Sequence, residues 1–289
     1  MIGSIFLAMR PKTLPAAIVP VWLGVVLTIL LEGKWDFFLA LSTLMGAIWI
    51  QIATNFFNDA IDAQRGADTE QRLGPKRATA SGWLSSRAVY LLAISSLLIA
   101  SLFGVHLIYE RGWVMLLIGL PALYLCYGYT GGPFALAYCG LGELFVLLCF
   151  GFLAVMGTVF VQTGTWYFQA ALLGLQVGCL SAVLISINNL RDVDEDRGNG
   201  KNTLAVKWGV QAVRWIILLE VMVAYSGGVI WSLLGYPQLA YYTLGAFIVS
   251  LMIVVGVWKH PPGKIYNRYL ALGGVALMGF GGLFHLAAL

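Results

Sequence analysis

The sequence predicts an all-α polytopic membrane protein, a single domain over residues 1–289 with nine transmembrane helices in one bundle. Three observations carry this. Of 289 residues, 60% are hydrophobic and only 10% charged, against roughly a quarter charged in soluble domains. The apolar residues fall in runs long enough to cross a hydrocarbon layer about 30 Å thick, which takes roughly 20 helical residues. The cations collect almost entirely in alternate loops. This composition excludes a soluble globular domain and a disordered chain.

Residues 1–9 form a short apolar lead-in, read as an interfacial segment before Arg10 and Lys12. Spans are expected at 14–31, 37–57, 88–108, 113–130, 142–161, 167–187, 212–234, 239–257 and 269–289. These runs are continuous, unlike the alternating strands of about ten residues that build a membrane β-barrel. Trp35, Trp113, Trp166 and Trp258 fall near span ends, where an amphipathic indole suits the headgroup region. With the N-terminus inside, the loops 58–87, 131–141, 188–211 and 258–268 share its side. That side then holds 15 of the 17 Lys and Arg residues, and only Lys34 and Arg111 fall outside. Such an asymmetry predicts an N-in, C-out orientation. Most of these cations are expected to set topology and meet lipid headgroups, and no nucleic-acid partner is expected.

Eight of the 13 carboxylates lie in two short windows: Asp59, Asp62, Asp68 and Glu70, then Asp192, Asp194, Glu195 and Asp196. Each window follows an apolar span on the cytoplasmic side, so a helix running past the hydrocarbon edge carries the acids on its last turns. Around the first motif region, residues 55–70, Gln51, Asn55, Asp59 and Asp62 share one helical stripe. In the second region, residues 188–202, Asn188, Asp192 and Asp196 repeat the device, about 6 Å apart along the axis.

Stacked carboxylates repel one another, so something must offset the repulsion. Hard oxygen donors favour Mg²⁺, which takes one or two carboxylates and fills its shell with water and phosphate oxygens. Two open half-sites facing one another suit a diphosphate held between them. Arg65, Arg72, Lys76, Arg77, Lys201 and Lys207 flank the acids and can neutralise remaining phosphate charge. One acidic cluster would read as ordinary solvated loop charge. Two matched clusters beside cations read as a site for a phosphorylated anion.

Other signals carry less. Cys126, Cys139, Cys149 and Cys179 lack CxxC spacing and read as small packing residues, and His106, His260 and His285 are isolated. The 34 glycines include no GxxxxGK[ST] phosphate loop and suit close helix packing. A transporter of divalent cations or organic anions is the rival reading from another class. It calls for acids near the bilayer midplane, where Glu220 is the clearest example.

The two motifs resemble those of the UbiA superfamily of intramembrane prenyltransferases, which lie at the cytoplasmic ends of the second and sixth helices. Asn58-Asp59-Ala60-Ile61-Asp62 is similar to the first, and Asp192-Val193-Asp194-Glu195-Asp196 to the second. A further aspartate often found four residues after Asp62 is replaced here by Gly66, with Asp68 two residues on. Four stretches resemble the branch that prenylates 1,4-dihydroxy-2-naphthoate in menaquinone biosynthesis: Arg10 to Pro15 with Lys12, Asn58 to Thr69, Tyr129 to Pro133 with Gly140 to Glu143, and Asn188 to Asp192 running into Gly200 to Val206. An acceptor such as 4-hydroxybenzoate, homogentisate, haem or a glycerol phosphate lipid is the alternative within the family.

The resemblance implies Mg²⁺ held by Asn58, Asp59, Asp62, Asp192 and Asp196, with a polyprenyl diphosphate ionising to an allylic cation. It implies attack by the naphthoate ring and loss of CO₂, giving a demethylmenaquinol at the bacterial inner membrane. Arg65, Arg72, Lys76 and Lys201 are expected to bind diphosphate. Gln51, Asn55, Asp68, Tyr129, Glu143, Asn188, Asn189, Arg10 and Lys12 are expected to support the ligands or meet the acceptor. The loop from Thr130 to Gly142 is expected to cover the site and exclude water.

Overall fold

The computed structural model describes residues 2–66, 73–75 and 77–289, and among them the only regular secondary structure is helical. Asp68, Glu70, Arg72 and Lys76 lie outside the described residues. The lead-in is a seven-residue helix, α1 (Ile2–Ala8), whose Phe6 and Leu7 are exposed. Arg10 then takes a left-handed φ of 51°, and a 3₁₀ turn over Pro11–Thr13 feeds the next helix.

The long helices follow in order. α2 (Pro15–Glu32) opens on a proline and closes on Gly33, whose positive φ lets its N–H reach the carbonyl of Ile29 at 2.8 Å. α3 (Phe37–Gln64) starts at Asp36, which accepts the N–H of Leu39 at 2.8 Å. α4 (Ser86–Arg111) is capped by Ser85, and α5 covers Val114–Gly128. α6 runs from Gly142 to Thr163, and α7 from Phe168 to Arg191. A short α8 (Val193–Gly198) precedes α9 (Leu204–Leu233), α10 (Pro237–Lys259) and α11 (Tyr266–Ala288).

Eight of these helices are long and apolar enough to cross a bilayer. The expected span at 113–130 is the exception. α5 has 15 helical residues, about 22 Å at 1.5 Å per residue, because Gly112 turns the chain before it and Gly132 turns it after, each with positive φ.

Two other departures have local causes. Ten residues of α6, Leu147–Met156, are wound as a π-helix, which periodicity does not reveal. This wider segment lies directly on α7, where a Cβ at Gly151 would stand 2.3 Å from the carbonyl oxygen of Gly174. The second expected stripe is also not one continuous helix. α7 ends at Arg191, Asp192 turns out of helical geometry at φ −98°, ψ 10°, and Asp196 rides on α8.

α7 is the inner pillar of the bundle and packs against α6, α9 and α11. The largest core joins Leu173, Val177, Leu180, Ile187 and Leu190 of α7 to Ile217 and Trp231 of α9 and Phe280 and Phe284 of α11. A separate core joins Ala8 of α1, Ile52, Phe56 and Ala60 of α3, Val89 of α4 and Cys126 of α5. The first aspartate motif grows from this second core and the second motif from the first. Outward-facing leucines and valines on α4, α9 and α10 remain exposed, as a lipid-facing surface requires.

Candidate active site

α3 continues unbroken past its apolar stretch, so Asn55, Asp59 and Asp62 stay on one buried helical face. Each carboxylate meets a donor. Asp59 accepts the backbone N–H groups of Ala78 and Thr79 at 3.0 and 2.9 Å, which pins the connection after the first motif back onto α3. Asp62 accepts Nη2 of Arg77 at 3.0 Å and the Tyr138 hydroxyl at 2.9 Å. Asn58 accepts the hydroxyl of Thr130.

The second motif is anchored by Arg191. Its Nε and Nη2 hold Asp192 at 2.7 and 2.6 Å, with Nη2 also reaching Asn188 Oδ1 at 2.9 Å and Nη1 reaching Asn267 Oδ1 at 2.8 Å. Asn267, at the start of α11, donates in turn to the Leu73 carbonyl at 2.9 Å. Asp196 faces Lys201, with Nζ 3.7 Å from Oδ1.

The two motifs meet through Tyr138. Its hydroxyl is bound to Asp62, its ring lies under the Arg65 guanidinium at 4.4 Å, and Lys201 Nζ stands 5.7 Å from the ring centroid. Desolvation and then the Asp62 charge push the Tyr138 hydroxyl above its ordinary pKa, so it remains a donor. Tyr138 ends a 3₁₀ turn in the loop expected to cover the site, and that loop docks on the second motif region. Lys207 Nζ donates to the Cys139 carbonyl at 2.8 Å, and Gly140, at φ 71°, would place a Cβ 3.1 Å from the Asn202 carbonyl oxygen.

Asp196 has a distinct electrostatic position. Burial pushes its carboxyl up from 3.8 to about 6, with Asp192 adding to the rise and Lys201 opposing it. Thr203 stands nearby without a hydrogen bond of normal geometry, and Asp196 Oδ2 is buried with no hydrogen-bond partner among the described residues. The folded protein therefore holds a proton between 3.8 and about 6 that the unfolded chain has lost, and stability falls as pH rises through that window. Asp196→Asn removes this penalty. The Tm of the variant minus that of wild type is expected to grow as pH rises through this window, and a pH-independent difference would contradict the assignment.

Other expected site residues divide into two groups. Gln51 and Asn55 are taken up by the N-terminal turn: Asn55 Nδ2 donates to the Met9 carbonyl and Thr13 Oγ1, each at 2.9 Å, and Gln51 Nε2 reaches Thr13 at 3.4 Å. Arg10 shapes the same turn, and Lys12 is exposed. Glu143 and Asn189 instead meet across the α6–α7 contact at 2.8 Å. Glu220, the acid inside a span, lies against Ser186 of α7 with both oxygens 3.3 Å from its hydroxyl.

Among the described residues, no three Asp, Glu, His or Cys side chains gather closely enough to hold an ion by themselves. The donors still fit a hard divalent cation bound with phosphate. They are carboxylate and amide oxygens in two half-sites, and Asp196 Oδ2 is a buried acceptor with no hydrogen-bond partner among the described residues. Tyr138, Asn267 and the N–H groups of Ala78 and Thr79 were not legible as site components, since no spacing rule marks a loop tyrosine or a backbone donor. Arg191 carried one signal, its position directly before Asp192.

Helices able to cross a bilayer, with two acidic motifs and their cations brought together through Tyr138, define an integral membrane protein with a polar, charge-rich site. The chain belongs to the UbiA prenyltransferase family, which it matches over residues 17–277, and it is a transferase. It is 38% identical over 216 residues to the 1,4-dihydroxy-2-naphthoate octaprenyltransferase of Bacillus subtilis strain 168, covering 75% of this chain and 69% of that one. It is 34% identical to the enzyme of the same name from Escherichia coli K12 over 70% of this chain and 67% of the relative. Its fold is similar to an apo UbiA homolog from Aeropyrum pernix K1, with a TM-score of 0.75, 16% identity and coverage of 97% of this chain and 99% of the other. A UbiA homolog from Archaeoglobus fulgidus bound to GPP and Mg²⁺ gives a TM-score of 0.67 at 14% identity, with coverage of 97% and 99%. Family membership removes the transporter reading.

Proposed function

We propose that this protein transfers a polyprenyl group from an allylic diphosphate to 1,4-dihydroxy-2-naphthoate, with loss of CO₂ and diphosphate, giving a demethylmenaquinol. The observation that carries the reading is the joining of the two aspartate motifs through Tyr138, in a chain whose relatives are named for this acceptor. The whole chain, 1–289, acts as one domain with nine spans, α5 being the short one. The N-terminus faces the cytoplasm and the C-terminus the outside of a bacterial inner membrane, with the site at the cytoplasmic ends of the helices.

Asn58, Asp59, Asp62, Asp192 and Asp196 are the residues that hold Mg²⁺ together with the diphosphate. Bound there, the cation supplies Lewis acidity to the departing diphosphate. Arg65, Lys201 and, beyond the described residues, Arg72 and Lys76 take up the remaining phosphate charge. Arg77 and Lys201, which neutralise Asp62 and Asp196 in this structure, are placed to turn from carboxylate to phosphate when substrate enters. Tyr138 orders Asp62, while the loop from Thr130 to Gly142 keeps water from the allylic cation. Asp68, Asn188, Asn189, Gln51, Asn55, Arg10 and Lys12 position these groups, and Tyr129 and Glu143 meet the acceptor. The polyprenyl tail stays in the bilayer among lipid while its head reaches the aqueous edge.

The test combines the protein in nanodiscs with 1,4-dihydroxy-2-naphthoate, an allylic polyprenyl diphosphate and Mg²⁺, following CO₂ and prenylated product against an EDTA control. Metal-dependent release of CO₂ with a prenylated naphthalenediol is expected. Metal-dependent diphosphate consumption without prenylation of this ring would reject the acceptor, and diphosphate binding indifferent to EDTA would reject the metal.

A further inference from the structure

One buried carboxylate in this region has no part in holding the aspartate motifs together. Glu143, in the first turn of α6, is 6% exposed. Its Oε1 accepts Nδ2 of Asn189 at 2.8 Å, while Oε2 is buried with no hydrogen-bond partner among the described residues. Asn189 is itself buried on α7, so the amide fixes the carboxylate and leaves one oxygen free for a donor from elsewhere. A buried polar atom left in this state points to a ligand or an ordered solvent molecule as its partner.

Tyr129 relates Glu143 to the aspartates. The charges of Glu143, Asp62 and Asp196 all bear on its buried hydroxyl. The same hydroxyl rests 3.1 Å from where a Cβ would stand on Gly142, directly beside Glu143, so a larger residue there would crowd it. Glu143 follows closely on Tyr138, which binds Asp62, and meets Asn189 in the helical turn before Asp192, so it stands beside both motifs, yet its bonding partner is an amide rather than a cation. A carboxylate oxygen in that setting recognises a neutral O–H donor better than a phosphate, which it would repel.

We propose that Glu143, oriented by Asn189, binds through Oε2 the ring hydroxyl of the aromatic acceptor next to its carboxylate and takes that proton during transfer. This rests on the dihydroxynaphthoate reading above. The allylic C–O bond breaks and diphosphate leaves, the ring carbon bearing the carboxylate bonds to the allylic carbon, and the hydroxyl proton passes to Glu143. The ring is then a β-keto carboxylate. Its C–CO₂ bond breaks, the electron pair returns to the ring as a phenolate, and Glu143 gives the proton back to that oxygen. Atoms and charge balance with no further reactant, and the carboxylate ends as it began.

The test compares wild type, Glu143→Gln and Glu143→Asp in nanodiscs, measuring kcat and KM for the naphthoate and, separately, Mg²⁺-dependent binding of geranyl diphosphate. Glu143→Gln keeps an oxygen to accept from Asn189 and is expected to lower kcat by about 10²- to 10⁴-fold with geranyl diphosphate affinity unchanged. Glu143→Asp is expected to recover part of the loss. An acceptor whose hydroxyl beside the carboxylate is methylated should slow wild type to the level of the glutamine variant and slow that variant no further. Unchanged kcat in Glu143→Gln, or a loss confined to diphosphate affinity, would overturn the inference while leaving wild-type prenylation intact. Failure of wild type itself to prenylate the naphthoate would instead reject the acceptor, and this inference with it.

Discussion

Asp196→Asn is expected to reduce turnover by about 10³-fold or more while leaving the Tm in detergent unchanged or raised. The two readouts move in opposite directions for a physical reason. Ionised Asp196 is held out of water with Lys201 3.7 Å away as its counter-charge among the described residues, and its carboxyl is raised to about 6, so near neutrality the folded state carries a charge it would shed with advantage. A charge kept at that cost is of use only if a cation or a donor comes to it. Asparagine keeps the size and one oxygen but removes the charge that a divalent cation requires. Turnover close to wild type would show that the second motif works without Asp196, and a marked fall in Tm would show that the carboxylate holds up the fold.

Arg191→Ala is expected to lose stability as well as activity, with a destabilisation of about 3–5 kcal/mol. Arg191 is 3% exposed, holds Asp192 with two short bonds, and reaches Asn188 and Asn267 as well. Its removal leaves Asp192 buried without its counter-charge and cuts the tie from α7 through α11 to the Leu73 carbonyl. Arg191→Lys should restore little, because one ammonium cannot reproduce a planar fork with three partners. The paired change Arg191→Met with Asp192→Leu should recover most of the stability and none of the turnover, since apolar pairs of similar volume often match a buried ion pair in stability. An unchanged Tm in Arg191→Ala would show that Asp192 is neutralised by another group.

Much of the architecture was legible because a bilayer restricts a chain so severely. Backbone groups in hydrocarbon must bond internally, so apolar runs of the required length have to be helices. The helix pattern of Asp59 and Asp62 was equally plain, since α3 simply runs on through both. Where the reading fell short, the causes were interactions between distant segments. The second stripe assumed that α7 continues, yet Asp192 leaves helical geometry where Arg191 seizes its carboxylate. The π-wound part of α6 lies on Gly174 and Gly178 of another helix, a contact that apolar periodicity cannot record. Gln51 and Asn55 lie on the same stripe as the aspartates, but the N-terminal turn takes up their amides.

The sequence by itself determined that this is a helical membrane protein and which acids carry its two motifs, because hydropathy, charge placement and a 3.6-residue period are local quantities. Only the tertiary structure decided how those acids are neutralised: Asp59 by backbone N–H groups, Asp62 by Arg77 and Tyr138, Asp192 by Arg191, and Asp196 by little more than Lys201. It also decided that Tyr138 would join the motifs and that Glu143 would keep one oxygen without a partner among the described residues. A carboxylate's chemistry depends on which donors reach it and how much water is excluded, and residues far apart in the chain determine that only after the helices have packed.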